Sequence, residues 1–422
     1  MDKYGIIGFP LGHSFSRGFF TEKFAREGID AQYLNFEIPD ARMLLDVLRD
    51  NPELRGLNVT LPHKQAVIPF LDELGPSARL TGAVNVIVRS DDGRLTGHNT
   101  DYDGVLAMAG HAGVSFKGAS VVVLGAGGAS KAVAAAALDA GASRVVFAVR
   151  HDFGPGRVPI QDPSAFSDCE VLVNATPVGM YPDVEGKPLD ISVLPHLRGV
   201  LDCVYNPIRT GLVLDAQERG IPAAGGLMML VAQAVRASEL FLNKTYAPEV
   251  TEQMYRFLLS SRRNIVLCGM PSSGKSTVGQ ALAARLGMPF TDTDDVIRTH
   301  AGMDIPQIFV LEGEAGFRRR ERIAVQSVAG EQGFVVATGG GTVLDPSNVR
   351  ALKRSGILVF LDRAPQLLEP TADRPLSRDR AALERLYAQR LPVYIAAADA
   401  RISNDGALTD TVESIIGYAQ QG

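Results

Sequence analysis

Cysteine is scarce in this chain: Cys169, Cys203 and Cys268 are the only three in 422 residues, with no CxxC pair and no zinc-like spacing. That excludes a disulfide scaffold or cysteine-built metal site and suits reduced core thiols in a cytosolic protein. Positive charge is not in excess either, since 42 Lys and Arg face 47 Asp and Glu for a net charge of -5. Bulk attraction to nucleic acid or an anionic membrane is therefore not expected, which leaves small-molecule partners and no nucleic acid or membrane. No run of about 20 apolar residues is present, so no spanning helix is expected. Met1-Asp-Lys leads straight into Tyr4-Gly-Ile-Ile-Gly8 without a basic and then apolar leader, and the expected location is cytoplasmic. Long Gly/Ser or Pro-rich linkers, internal repeats and low-complexity tracts are missing too.

What is present is ample core material. Hydrophobic residues make up 46% of the chain, and 422 residues at roughly 100 to 200 per domain predict two or three domains. Short apolar runs alternate with helix-period segments, the pattern of parallel βα units, so the fold class is α/β. The expected strands are Tyr4 to Gly8, Gly56 to Val59, Val84 to Val88, Ser120 to Leu124, Arg144 to Val149, Glu170 to Asn174 and Gly199 to Asp202. A second series is Asn264 to Cys268, Phe334 to Ala337 and Ile357 to Leu361. Each series carries one glycine-rich turn, which implies two nucleotide sites and at least two cores. The polar tetrad Ser260-Ser-Arg-Arg263 is the natural break between them.

The first turn, Gly125-Ala-Gly127-Gly128-Ala129, directly follows an apolar strand and precedes the Ala-rich run Ala132 to Leu138. Backbone N–H groups at such a helix start can hold a pyrophosphate that only glycines let come close. The next strand ends at Arg150, where an acidic residue would favour NAD; an Arg favours a 2′-phosphate, so the reading leans to NADP(H).

Further residues then form an ordered set. Gly12-His-Ser14-Phe-Ser16, Asn58-Val-Thr60-Leu-Pro62-His-Lys64, Gly82-Ala-Val-Asn85, Asn99-Thr100-Asp101, Asn174 to Met180, Asp202-Cys-Val-Tyr205 and Met229 to Gln233 together resemble shikimate dehydrogenase over roughly residues 1 to 260. Reduction of a ketone builds charge on oxygen, for which protonated Lys64, held by Asp101, is a credible proton donor. The resemblance implies that Lys64 and Asp101 are the catalytic pair and that Ser14 and Ser16 grip a carboxylate. It also implies that Asn85 and Gln233 bind ring hydroxyls and that Tyr205 lines the pocket; Thr60 is a further neutral donor suited to the same substrate. Two departures stand out: Asp152-Phe-Gly-Pro-Gly156 replaces a helical continuation after Arg150, and Gly225-Gly226 stands where Asp-Gly is common.

The second turn, Gly269-Met-Pro-Ser272-Ser273-Gly274-Lys275-Ser276-Thr277, matches GxxxxGK[ST] between a strand and a helix. Its backbone would cradle phosphates, with Lys275 on the β/γ oxygens and Ser276 on Mg²⁺. Asp292-Thr-Asp294, Phe317-Arg318, Gly339-Gly340-Gly341, Arg374-Pro375 and Arg390-Leu-Pro392 follow in order, and the stretch resembles shikimate kinase from 264 to about 420. That resemblance assigns Asp292 to Mg²⁺ through water, Asp294 to the acceptor hydroxyl as base, and Arg318 and Arg390 to the substrate carboxylate. Gly339 to Gly341 would back the ring, and Arg374 would come from a lid whose base, Gln366 to Pro370, is short and lacks a basic residue.

The expectation is a two-domain dehydrogenase followed by a P-loop kinase. Residues 1–105 with 225–260 would bind 3-dehydroshikimate, 106–224 would form a Rossmann-like NADP domain, and 264–422 would use ATP and Mg²⁺ on shikimate, in a monomer or homodimer. Two alternatives are a quinate/shikimate dehydrogenase fused to a kinase of another hydroxy acid such as gluconate, and a catalytically silent metabolite sensor. The presence of Lys64, Asp101, Lys275, Ser276 and Asp294 weighs against the last.

Overall fold

The computed structural model describes residues 1–12, 15–369 and 380–421. It divides into two compact units, Met1–Tyr255 and Arg256–Gly422.

The first unit holds two sheets. One contains β1 (Asp2–Gly8), β2 (Ala31–Glu37), β3 (Leu54–Val59), β4 (Glu73–Leu74), β5 (Val86–Arg89) and β6 (Leu95–His98), in the order β2-β1-β3-β5-β6-β4. β1 runs parallel to β2 and β3, but β5 is antiparallel to both β3 and β6. The parallel pattern expected throughout fails here for a local reason. Only Ser90-Asp-Asp-Gly-Arg94 separates β5 from β6, closed by the Ser90 N–H on the Arg94 carbonyl with Gly93 at φ +87°, and a parallel pair needs a longer crossover.

The other sheet contains β7 (Ser120–Leu124), β8 (Arg144–Val149), β9 (Arg157–Pro159), β10 (Val171–Asn174), β11 (Gly199–Asp202) and β12 (Ala223–Ala224), in the order β12-β11-β10-β7-β8-β9 with parallel neighbours. The Val/Leu run of β7 is buried along its whole length, as a central strand covered on both faces requires. Its neighbours, β10 and β8, lie on opposite sides, so the crevice for a ligand opens at the carboxyl end of β7. Residues 150–156 form no helix, as the Gly/Pro content predicts; Arg157 instead pairs with the Asp152 carboxylate across this short connection.

The second unit has one parallel sheet of β13 (Asn264–Cys268), β14 (Phe290–Asp292), β15 (Val335–Ala337), β16 (Gly356–Asp362) and β17 (Ala400–Ser403), ordered β14-β15-β13-β16-β17. Apolar clusters cover both of its faces: Val266, Phe360 and Tyr394 belong to one, and Leu267, Leu282 and Ile415 to the other.

The tetrad at 260–263 is not a loop. Helix Pro248–Arg262 covers its first three residues, with the Ser260 and Ser261 hydroxyls donating to the Phe257 and Leu258 carbonyls one turn back. All three cysteines are free, with Cys169 and Cys268 buried. Among the described residues no helix is long and apolar enough to cross a membrane.

Candidate active sites

In the first unit, Lys64 lies in the turn after β3 and Asp101 opens the helix Asp101–Ala112 that follows β6. Lys64 Nζ donates to Asp101 Oδ2 at 2.6 Å, and both side chains are largely shielded from solvent. A carboxylate in a first helical turn is favoured by the helix dipole. Its other oxygen accepts from Asn85 Nδ2 at 2.9 Å, and Asn85 also donates to Thr100 Oγ1 and accepts from the Thr100 N–H. Asn85 is only 3% exposed. The amide thus fixes the carboxylate that fixes Lys64.

The helix bearing Asp101 is seated by Gly104. A Cβ there would lie 2.7 Å from the Met229 carbonyl oxygen on helix Leu227–Leu242. That second helix carries Gln233, half-buried, with Nε2 on the Leu230 carbonyl at 2.9 Å. Thr60 is half-buried at the end of β3, and its N–H donates to the Ile7 carbonyl. Ser16 hydrogen-bonds the buried Tyr33 hydroxyl; Ser14 lies outside the described residues.

Lys64 also reaches the glycine turn, since a Cβ at Gly128 would lie 3.7 Å from its Cδ. Helix Gly128–Asp139 starts there, extending the expected Ala-rich run, and Gly127 at its N-cap supplies no capping side chain. The first-turn N–H groups, Ala129 included, are therefore left to an anion, and the Ser130 hydroxyl is fully buried without a partner. Arg150 is exposed at the end of β8. A proton donor and a dinucleotide turn thus share one crevice.

Beside that crevice, Asp202 at the end of β11 is a group whose role the sequence did not show. It is fully buried and accepts from Thr210 Oγ1 at 2.6 Å, Asn174 Nδ2 at 2.9 Å and the Val204 N–H at 3.0 Å. Asn174 in turn accepts from the Thr176 N–H and hydroxyl, so one carboxylate ties together the loops after β10 and β11, the second of which carries half-buried Tyr205. The Gly225-Gly226 departure has a steric cause: a Cβ at either would lie 2.4 Å from the Ile208 carbonyl oxygen or 2.3 Å from that of Cys203.

Burial raises the Asp202 carboxyl to about 7, against the lowering effect of its three donors. The folded chain therefore keeps a proton that the unfolded chain has lost between about pH 4 and 7, and this group's contribution to stability falls as pH rises through that window. Across it the loss is on the order of 4 kcal/mol. The Tm difference between Asp202→Asn and the unaltered chain is expected to move in favour of the variant from pH 5 to pH 8. Parallel melting profiles would refute it.

In the second unit, the phosphate loop leaves β13 with Gly269, Ser272 and Gly274 all at positive φ, and helix Lys275–Leu286 begins directly after it. Lys275 Nζ donates to the Gly269 and Met270 carbonyls at 3.1 and 2.8 Å. Thr277 is exposed in the same first turn. Ser276 Oγ donates to Asp292 Oδ2 at 2.8 Å, a pair of hard oxygen donors suited to Mg²⁺. The Ser273 hydroxyl is buried without a partner inside the loop.

The triple glycine after β15 explains itself sterically. A Cβ at Gly339 would sit 3.0 Å from Asp294 Oδ1, one at Gly340 3.0 Å from Pro271 of the phosphate loop, and one at Gly341 2.6 Å from the Arg318 guanidinium. Three sequence-distant groups thus meet one stretch of backbone. Arg390 Nη1 and the Tyr394 hydroxyl both donate to the Gly340 carbonyl, at 2.9 and 2.5 Å. Glu321, 1% exposed, accepts from Arg318 Nη1 at 2.7 Å and Thr342 Oγ1 at 2.9 Å. Its orienting of Arg318 was not read from the sequence; Arg320 and Arg322 pair outward with Glu312 and Asp345. Arg374 lies outside the described residues.

Comparison with known proteins bears on both units. Residues 6–87 match the family model described as shikimate dehydrogenase substrate binding domain, and residues 271–419 match the one described as shikimate kinase. A shikimate dehydrogenase (NADP(+)) of Symbiobacterium thermophilum is 38% identical over 261 residues, covering 57% of this chain and 88% of that protein. The shikimate 5-dehydrogenase structure from Thermus thermophilus, in complex with NADP(H) and shikimate, is 31% identical with a TM-score of 0.54, covering 61% of this chain and 99% of that one. A chorismate mutase/shikimate 5-dehydrogenase fusion protein from Clostridium acetobutylicum is 32% identical with a TM-score of 0.56, covering 61% of this chain and 97% of that one.

Proposed function

Because the chain belongs to the shikimate dehydrogenase family and carries a shikimate kinase domain at residues 271–419, we propose that it catalyses two consecutive steps of the shikimate pathway. The first is NADPH-dependent reduction of 3-dehydroshikimate to shikimate, and the second is ATP-dependent phosphorylation of shikimate at its 3-hydroxyl. The observation that carries this reading is the ammonium of Lys64, held by Asp101 at 2.6 Å, beside a dinucleotide turn in a chain that also holds a complete phosphate loop. Residues 1–105 with 225–260 are assigned to the acid, 106–224 to the dinucleotide and 264–422 to the kinase.

NADPH when bound supplies the hydride. Lys64 delivers the proton to the oxygen that becomes the hydroxyl, and Asp101 keeps the ammonium aimed at it. Asn85 locks the carboxylate, while Ser14, Ser16, Thr60, Tyr205 and Gln233 bind the acid and its hydroxyls. Arg150, exposed directly after β8, would meet a 2′-phosphate.

In the second unit Ser276 and Asp292 would hold Mg²⁺, which neutralises phosphate charge. Asp294 takes the acceptor proton, Arg318 and Arg390 hold the acid, and the backbone of 339–341 presses on the ring. Lys275 and Arg374 stabilise the transferring group.

The test is a coupled assay on the purified chain: dehydroshikimate with NADPH, then ATP, with the products identified by mass. Shikimate and then its phosphate are expected. Preference for quinate in the first step, or gluconate in the second, would instead select the mixed fusion.

A further inference from the structure

Asn404 begins the loop after β17, 131 residues from Ser273 of the phosphate loop. It is 5% exposed, and its N–H and both polar atoms of its side chain are engaged in defined directions. Its N–H donates to the Asp362 carbonyl at 2.7 Å, and its Oδ1 accepts from Thr411 Oγ1 at 2.9 Å. Thr411, itself 3% exposed, lies on helix Leu408–Gln421. With the amide so oriented, Nδ2 donates to the Ser273 carbonyl at 2.8 Å, and it would lie 2.8 Å from a Cβ at Gly274.

The direction of that last bond matters. In a planar trans peptide the C=O and N–H point to opposite sides. Holding the Ser273 carbonyl back towards Asn404 turns the Gly274 N–H forward, on the side where such a loop meets an anion. Gly274 has φ +86°, and only glycine offers both that conformation and room for the amide.

We infer that Asn404 is a positioning residue of the nucleotide site: it sets the Ser273–Gly274 peptide so that the phosphate loop is shaped for a polyphosphate before one arrives. The inference rests on the kinase reading of this unit and deepens it. Asn404 acts through the Ser273 carbonyl, on the backbone of the loop, so its influence is on binding rather than on the transferring group.

The test uses the full chain with Asn404→Ala and the near-isosteric Asn404→Asp, which keeps the volume but replaces the donor with an acceptor facing a carbonyl. The KM for ATP is expected to rise about threefold to tenfold in N404A, the range of one lost hydrogen bond, and further in N404D. The KM for shikimate and the dehydrogenase activity should stay within about twofold of the unaltered chain. Inorganic tripolyphosphate as a competitor of ATP should weaken in the same ratio as ATP, while adenosine should not. An effect through the fold alone would move shikimate and adenosine together with ATP, and that overturns the inference. So does an unchanged tripolyphosphate affinity in N404D, which decides the matter if N404A melts below assay temperature. If the unaltered chain phosphorylates no shikimate, the kinase reading fails, while tripolyphosphate binding still tests Asn404.

Discussion

Lys64→Ala should abolish reduction of 3-dehydroshikimate and leave phosphorylation of shikimate near normal. The structure fixes this ammonium on the Asp101 carboxylate beside the glycine turn, and a positioned general acid contributes about 10² to 10⁴ in rate. A fall of that size is expected in kcat more than in KM, because the proton is needed as charge builds on the oxygen rather than when the ketone binds. The substitution also leaves Asp101 with one donor fewer, but Asn85 and the first turn of the helix still support its charge. The fold should therefore survive, and a melting curve beside the two assays checks it. Loss of both activities in a folded protein would sink the two-site account.

The converse is expected of Lys275→Ala. Nζ spans the Gly269 and Met270 carbonyls at the head of the phosphate loop, from where a γ-phosphoryl group would draw it. Removing one such charge-stabilising donor from a closed site costs on the order of 10² to 10³ in kcat. Shikimate should still bind, since Arg318 and Arg390 are held by Glu321 and the Gly340 carbonyl independently of Lys275. Isothermal titration of shikimate, together with phosphorylation and reduction rates, separates these effects. Undiminished phosphorylation would remove the loop from the chemistry.

How far the sequence reveals this molecule depends on the range of the interaction concerned. Central strands such as Ser120 to Leu124 and Asn264 to Cys268 are legible to the residue, because a strand buried on both faces must be an unbroken apolar run. Edge strands are not: β2 reads Ala-Gln-Tyr-Leu-Asn-Phe-Glu and β17 reads Ala-Arg-Ile-Ser, half-exposed and without a continuous apolar signal. The antiparallel β5 hides behind the same apolar look as its parallel neighbours, and only the five-residue turn after it gives the direction away. Site residues with a local pattern, the two glycine turns and Asn99-Thr-Asp101, were legible as motifs. Asp202 as the tie between two loops, Glu321 as the holder of Arg318, and Asn404 behind the phosphate loop were not. Each acts through a contact between distant segments that leaves no spacing to read.

The wall that faces Asp294, Pro271 and Arg318 is main chain at three consecutive positions, 339 to 341. Such a surface gives evolution no side chain to trim or enlarge: any substitution adds bulk towards a neighbour already within about 3 Å. In the proposed kinase reading a side chain added here must displace the Asp294 carboxylate, the Pro271 ring or the Arg318 guanidinium, so a broadened acceptor range is more readily sought among the residues opposite, where atoms can be removed as well as added.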